Sequence, residues 1–541
     1  MYLKNSLILI NEFFYYTKNQ IRNLYLKSRF YNNKISKIEI SNISYRPSLS
    51  ILSCLVKYDK KKIKIEELDK DNIWESDLLS SNNLNKLNNF YWLFSIDLKS
   101  SPSITQSIII KWIEKNQSYN SLTWQTDILS KRIISWIANS KLSYENGDIK
   151  YKNKFNLSVN KQVNHLINEI TKSKLVDDKL LGCAAIIITG LAYENQKFLN
   201  YGLDLLKKII LNSFDNDYFP KTRSIRQLNF YLKYFVLVRE LLKESFNEIP
   251  DYLDEIIFYL GKSYSTFSDL KQSLLFNGNH QNDLAEFNRY LSHHKYKFES
   301  NNKETGGYAI LKNKNHILAM DIGASPPKKF SNNYQSGVLS FEFFYKGSKL
   351  ISNSGYFQDY NNKFNIISKS TAAHSSLIVD NHSSCSFKRT DKYKILENGL
   401  KTYDKKIVHE KDYWLIQASH NGYLKKYGII HERSIEFIVD KNKLVGKDKL
   451  ISKKGLSAKK FDIRFHMMPG IKLTKTLDNK TILIEIENSG WRFTSDCETF
   501  NIESGLYFGN KNLTSENQNI CISGEIKKEI QELKWEFEKI Q

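Results

Sequence analysis

The chain has 541 residues, 41% of them apolar and 26% charged, with 22 glycines and 7 prolines, proportions that suit a globular protein and exclude collagenous and low-complexity chains. The length exceeds the ~250–300 residues at which a single core stops growing, so it implies two domains, or one domain with large appendages. Eighty Lys and Arg against 58 Asp and Glu leave a net charge of +22; an AT-rich coding sequence accounts for part of that excess, and the rest favours a polyanionic partner (nucleic acid, anionic lipid or acidic polysaccharide) over a basic one.

Residues 1–84 read as a mixed N-terminal extension. It holds a run of aromatic and basic residues, FFYYTKNQIRNLYLKSRFYNNK, which suits an amphipathic helix on a membrane or partner surface and equally a helix packed on its own domain. The opening apolar patch is interrupted by Glu12 and is followed by no small-residue cleavage site, which makes it a poor secretory signal.

Residues 85–303 carry a helical period. Helices are expected around Ser130 to Ala138, Val159 to Ile170, Leu180 to Tyr193 and Tyr201 to Leu211. The stripes Phe230, Tyr234, Leu237, Val238, Leu241 and Leu253, Ile256, Ile257, Leu260 recur at core spacing. The longest apolar run, Leu180 to Tyr193, spans about 14 residues, short of the ~20 that cross a bilayer. An antiparallel all-α array results. From residue 304 to 541 the period changes to two, with strands expected at Val338 to Phe344, a turn at Lys346-Gly347, then Lys349 to Ser352, Ser376 to Val379, Tyr413 to Ala418, Lys460 to His466 and Thr481 to Glu487. Many short strands with polar turns predict a β-sandwich.

The five cysteines (54, 183, 385, 497 and 521) show no paired spacing, so neither a disulfide framework nor a zinc knuckle is expected. No phosphate loop, dinucleotide fingerprint, nucleophile elbow or HExxH motif occurs, and the basic and aromatic residues are dispersed rather than gathered into a nucleic-acid module. His293-His294 lie on a basic stretch and suit a solvated face.

The stretch LAMDIGASPPKKFSNNYQSGVLSFEFFYKGSKLISNSGYFQDY, then SKSTAAHSSLIVD, over residues 318–380, resembles the C-terminal region of the heparinase II/III-like family. WQTDILSKRIISW, DYFPKTRS, Phe276-Asn277-Gly278, Gly307-Tyr308, HNGY, HER and RFH match further segments of that family in the same order, over roughly residues 85 to 510. The resemblance implies an α/α toroid-type domain followed by an antiparallel β-sandwich, and a lyase that cleaves a uronate-containing acidic polysaccharide by β-elimination. Such a site must hydrogen-bond or neutralise the uronate carboxylate, take the C5 proton and protonate the departing O4.

Carried onto this chain, the resemblance assigns catalytic roles to His374, Gln335, Asn333 and Tyr356, and substrate-binding roles to Arg223, Asn279, His280 and Asn353. Two positions where relatives carry His read Asn333 and Gln335, a metal carboxylate reads Asn353, and a further His reads Pro220. One imidazole beside amides is a poor zinc set, so no metal and no cofactor are expected. Read on their own, a lone His374 suits a structural hydrogen bond, Arg223 a cap or ion pair, and the Asn277–His280 stretch a turn. His420, Tyr423, His431, Arg433 and His466 are expected to hold the sandwich together. The alternative function is a catalytically weakened glycan-binding or envelope-assembly protein, and charge alone leaves a nucleic-acid binder as a third reading. The resemblance implies the cell envelope or periplasm; the absence of an evident signal leaves the cytoplasm as the alternative.

Overall fold

A computed structural model describes residues 16–37, 42–55, 74, 81–96, 101–268, 270–389, 394–453, 459–487, 489–497, 499–511 and 513–540. The apolar start of the chain and most of residues 56–80, which belong to the expected N-terminal extension, lie outside them. The chain forms two compact units: Met1–Asn212 with Phe230–Ile257, and Ser213–Asn229 with Phe258–Gln541. The predominantly helical part is followed by antiparallel sheets, the architecture expected from the change of period.

In the first unit the helices include Pro102–Lys115, Thr126–Ala138, Ile149–Glu169, Val176–Ala192 and Gln196–Ser213. They run longer than the apolar stripes, and at Ile149–Glu169 a polar cap sets the start. Asp148 accepts the Tyr151 N–H at 2.7 Å and starts a helix ten residues before the first predicted apolar position, Val159. Phe90, Trp112 and Trp136 pack edge to face, with ring centroids 5.3–5.9 Å apart. Arg132 is buried over Trp112 at 4.0 Å and donates to Gln162 and to the carbonyls of Asn88 and Thr123. Its Nη2 is buried without a hydrogen-bond partner, so the guanidinium is only partly satisfied and carries the desolvation cost of an unmet donor. Among the described residues no helix is long and apolar enough to cross a membrane.

The second unit is a sandwich of a nine-stranded and an eight-stranded antiparallel sheet. The first sheet runs Glu304–Thr305, Tyr308–Lys312, His316–Asp321, Phe341–Tyr345, Ser348–Ser352, Lys460–Met467, Ser515–Glu525, Phe500–Tyr507, with Leu377–Val379 also paired to Lys460–Met467. The second runs Lys472–Lys475, Ile482–Ile486, Ser489–Ser495, Ile530–Lys539, Lys443–Ser452, Ile429–Ile438, Tyr413–His420, Thr402–His409. Along Ile429–Ile438 burial alternates residue by residue, as a strand with one face in a core requires. Aromatic rings from the two sheets meet between them: Phe343 lies 5.1 Å from Phe437 and 5.8 Å from Trp491, and Phe465 lies 4.7 Å from Trp535. Each such ring contributes on the order of 2–3 kcal/mol of burial.

The turn expected at Lys346-Gly347 is present. Both residues have positive φ, 49° and 88°, the geometry of a two-residue hairpin whose twist matches its strands. The strand expected from Val338 begins at Phe341 instead. Leu339, at φ 57°, turns the backbone left-handed there and ends the extended conformation before the strand starts.

Candidate functional site

The predicted site residues all fall in the second unit, and they separate into those whose polar atoms are used up by the fold and a second set that includes His374, whose Nε2 has no hydrogen-bond partner. Arg223 is in the first group. It follows the turn in which Asp215 accepts the N–H groups of Asp217 and Phe219, and its guanidinium makes five hydrogen bonds. Four go to the carbonyls of Gly306, Gly307, Gly323 and Ala324 at 3.1–3.2 Å, and one to Asp321 Oδ1 at 2.7 Å. Burial alone would lower its pKa, but the Asp321 carboxylate outweighs burial and holds it above the usual value. With five N–H groups and five acceptors, Arg223 is a structural ion pair with no donor left for a substrate carboxylate.

The polar turn after Leu275 is organised in the same way. Asn277 donates to Tyr308 Oη at 2.6 Å and to Asp321 Oδ2 at 3.1 Å. Tyr308 in turn donates to the Arg223 carbonyl. Asn279 gives its amide N–H to the Leu274 carbonyl at 2.6 Å and its oxygen to Asn282 at 3.3 Å, so it closes the turn. Gln335 accepts the Gly278 N–H at 2.9 Å and donates to the carbonyls of Gly355 and Ser368 at 3.0 and 2.5 Å. Asn353 accepts the Ser375 N–H at 2.9 Å and donates to Glu342 at 3.1 Å. Arg223, Asn279, Gln335 and Asn353 therefore stitch backbone segments together.

Below Asn353 lies a fully buried ion pair that sequence reasoning missed. Glu342 meets Lys349 Nζ at 2.7 Å and also accepts the N–H groups of Leu275 and Asn353. Lys349 donates as well to the Ser273 carbonyl at 2.7 Å. Burial pulls the Lys349 pKa down, and Glu342 opposes it. Glu342 stood in the sequence as part of LSFE, but nothing there reveals that Lys349 faces it from the next strand of a hairpin.

Four predicted residues remain. Tyr356 donates to Asn333 Oδ1 at 3.4 Å and accepts from Asn365 Nδ2 at 3.1 Å. Burial raises its pKa, against the Asn365 hydrogen bond and the positive charge of Arg226. Asn333 is half-buried. His280 Nδ1 accepts from Gln358 Nε2 at 3.1 Å. His374 follows a 3₁₀ turn, Thr371–Ala373, and its Nδ1–H donates to the Ser370 carbonyl at 2.8 Å. Its Nε2 is buried and has no hydrogen-bond partner. Burial pushes its pKa down to about 4, so at neutral pH the ring is uncharged and Nε2 carries a lone pair. A Cβ on Gly337 would lie 2.5 Å from the ring Cδ2 and 2.9 Å from Nε2, so only glycine leaves space for the imidazole. His466 sits near it, bonded to Ser354 Oγ at 3.2 Å and the Ala372 carbonyl at 2.9 Å. Burial and the neighbouring His374 bring its pKa to about 3.

These donors suit a metal poorly. The amide oxygens of Gln335 and Asn353 already accept backbone N–H groups, and among the described residues no three His, Cys, Asp or Glu side chains converge.

A second imidazole cluster lies between the sheets. Asp448 accepts from Arg433 at 2.7 and 2.9 Å, from Trp535 at 2.8 Å and from His431 at 2.6 Å, and His420 Nε2 meets His431 Nδ1 at 3.1 Å. Arg433 also donates to the carbonyls of Leu339 and Ser375. Tyr423 donates to the Leu377 carbonyl at 2.9 Å. These residues hold the sandwich together.

Residues 297–536 match the family described as Heparinase II/III-like, C-terminal. Among solved structures, a mutant of the heparan sulfate lyase HepC from Pedobacter heparinus is similar, at 14% identity and a TM-score of 0.67, covering 95% of this chain and 87% of that one. A heparinase III structure is similar at 14% identity and a TM-score of 0.68, covering 94% and 89%. At that identity the likeness shows the fold. No curated protein matches the chain.

Proposed function

Taking as premise that residues 297–536 belong to the heparinase II/III-like C-terminal family, we propose that this protein acts on an acidic, uronate-containing polysaccharide and cleaves it by β-elimination without a metal. The observation that carries this reading is the unpartnered Nε2 of His374, kept unprotonated by burial and aimed by the Nδ1–H···O bond to Ser370. Nε2 is closed to solvent beside Gly337, so the proposed step requires substrate to open that contact; Nε2 then takes the C5 proton, the C4–C5 double bond forms as the C4–O4 bond breaks, and the Tyr356 hydroxyl gives its proton to O4. Asn333 and His280 contact the uronate. A base with a lowered pKa and an acid with a raised one make for slow turnover, since proton transfer is most efficient with pKa values near the working pH. The net charge of +22 concentrates a polyanion near the protein, and the cell envelope is the compartment this substrate class suggests.

A second reading, glycan binding without turnover, is favoured by Asn333 and Gln335 standing where relatives carry imidazoles, and by the hydrogen-bond saturation of Gln335, Asn353 and Arg223. Ultraviolet absorbance of the new 4,5-unsaturated uronate, followed with a panel of acidic polysaccharides and a chelator control, separates the two. The lyase reading expects a rise with at least one polymer that persists in chelator and is lost in His374→Ala. Salt-sensitive binding across the panel with no rise supports the second reading and sinks the first.

A further inference from the structure

The N-terminal part of the first unit presents a surface that the polysaccharide reading does not use. A helix over residues 16–27 and the helix Arg29–Ile35 are fixed from below. Leu26, Tyr31 and Ile35 are buried, Tyr31 Oη meets His165 Nδ1 at 2.7 Å, Asn164 donates to the Ile35 carbonyl at 3.0 Å, and Arg22 is paired with Glu169. The outward face is apolar all the same. Ile21, Leu24 and Phe30 are 68%, 70% and 72% exposed, and the Tyr25 and Phe30 rings lie 6.4 Å apart. Ile21, Leu24 and Tyr25 stand at i, i+3 and i+4, so they form one stripe.

Around this stripe the charge has a single sign. Residues 16–37 contain six basic residues, Lys18, Arg22, Lys27, Arg29, Lys34 and Lys37, and no Asp or Glu; Lys18, Lys27, Arg29, Lys34 and Lys37 are exposed. An outward aliphatic and aromatic stripe flanked by lysines and arginines matches an anionic bilayer surface, where side chains enter the acyl boundary and the cations meet phosphate headgroups. A soluble polyanion would satisfy the cations but offers no apolar phase for Ile21 and Leu24. A second copy of this chain would bring the same five exposed positive charges to the interface, and like charges facing each other oppose that pairing.

We infer that residues 16–37 dock the protein peripherally on a membrane rich in anionic lipid. Flotation of the full chain with vesicles of phosphatidylcholine, with and without phosphatidylglycerol, tests this. Binding is expected with phosphatidylglycerol and to fall roughly tenfold or more on phosphatidylcholine alone. Comparable losses are expected for Leu24→Glu/Phe30→Glu and for Lys18→Glu/Lys27→Glu/Arg29→Glu, with thermal unfolding as the check that each variant folds. An environment-sensitive fluorophore on Leu24→Cys should shift to the blue with anionic vesicles, and it reads the same contact should a multiple variant fail to fold. Equal binding to both lipids, vesicle binding untouched by Leu24→Glu/Phe30→Glu, or an unshifted fluorophore overturns the inference. So does a concentration-dependent dimer that the same substitutions abolish, because it makes the occupant a second copy.

Discussion

Two buried imidazole clusters of the β unit differ in one respect. Around Asp448 every polar atom is matched: Arg433 pairs with the carboxylate through two nitrogens, His431 and Trp535 complete it, and although burial alone would raise the Asp448 pKa, Arg433 and His431 hold it well below its usual value. Around His374 one atom is left over, the Nε2 lone pair. A fully matched network is what stability demands. An unmatched buried acceptor costs about 1–3 kcal/mol, and a fold that retains such a cost is where chemistry is worth looking for. The clusters also touch: Arg433 donates to the carbonyls of Leu339 and Ser375, the segments beside Gly337 and His374, so the matched cluster holds the unmatched one in place.

The sharpest way to test that contrast is Asp448→Asn. It leaves the Arg433 charge buried and under-compensated, and urea denaturation should show a loss of roughly 3–5 kcal/mol. A loss under ~1 kcal/mol would break the claim that the Asp448 cluster is the stabilising one. The pH dependence comes next. His374 and His466 fold with pKa values of about 4 and about 3, below the ordinary 6.5, so the unfolded chain binds their protons first. Their contribution to stability is therefore complete above pH ~6.5 and declines as pH falls, by up to ~1.4 kcal/mol per pH unit for each, ending near pH 4 for His374 and pH 3 for His466. Thermal melts of wild type and His374→Ala from pH 7 to pH 4 should converge on the acid side; parallel curves would place His374 in a wetter setting than the one described.

How far the sequence reached follows the kind of information each feature needs. The change of period near residue 304, the Lys346-Gly347 turn and the sandwich roles of His420, His431 and Arg433 depend on local pattern or on residue types that cores tolerate only when paired. Arg223, Gln335 and Asn353 stand among the candidate site residues because their positions match a motif. What occupies them is backbone: that of Gly323 and Ala324, about a hundred residues away from Arg223, and, around Gln335, that of Gly355 and of Ser368 in the helix Lys363–Lys369. Carbonyl acceptors carry no sequence signature, so a motif cannot tell a side chain aimed at a ligand from one that has been spent on the fold. The Glu342–Lys349 pair is hidden for a related reason: which charges face each other across a hairpin depends on strand register, which the sequence does not state.

Gly337→Ala is expected to have a smaller effect on stability and a larger one on function. The added methyl would meet the His374 ring at 2.5 Å, and overpacking of this kind costs typically ~1–3 kcal/mol. It pushes the imidazole off its bond to Ser370, so polysaccharide cleavage should fall further than stability does. An alanine variant with full cleavage would separate His374 from the chemistry.

Tyr356→Phe makes the smallest change to the fold and asks the most of the comparison. Only the hydroxyl goes, with its 3.1 Å bond from Asn365 and its longer 3.4 Å bond to Asn333, so the loss should be about 1 kcal/mol. If the hydroxyl supplies the proton to O4, cleavage should fall by at least ~100-fold, the scale of a lost general acid, with KM little changed. Because burial raises the Tyr356 pKa and lowers that of His374, the acid stays protonated and the base unprotonated across pH 6–9, so the wild-type rate should be flat there. A bell-shaped profile centred in that range would assign the proton transfers to other groups, and a Phe variant with unchanged kcat would remove Tyr356 from the reaction while leaving His374 in question.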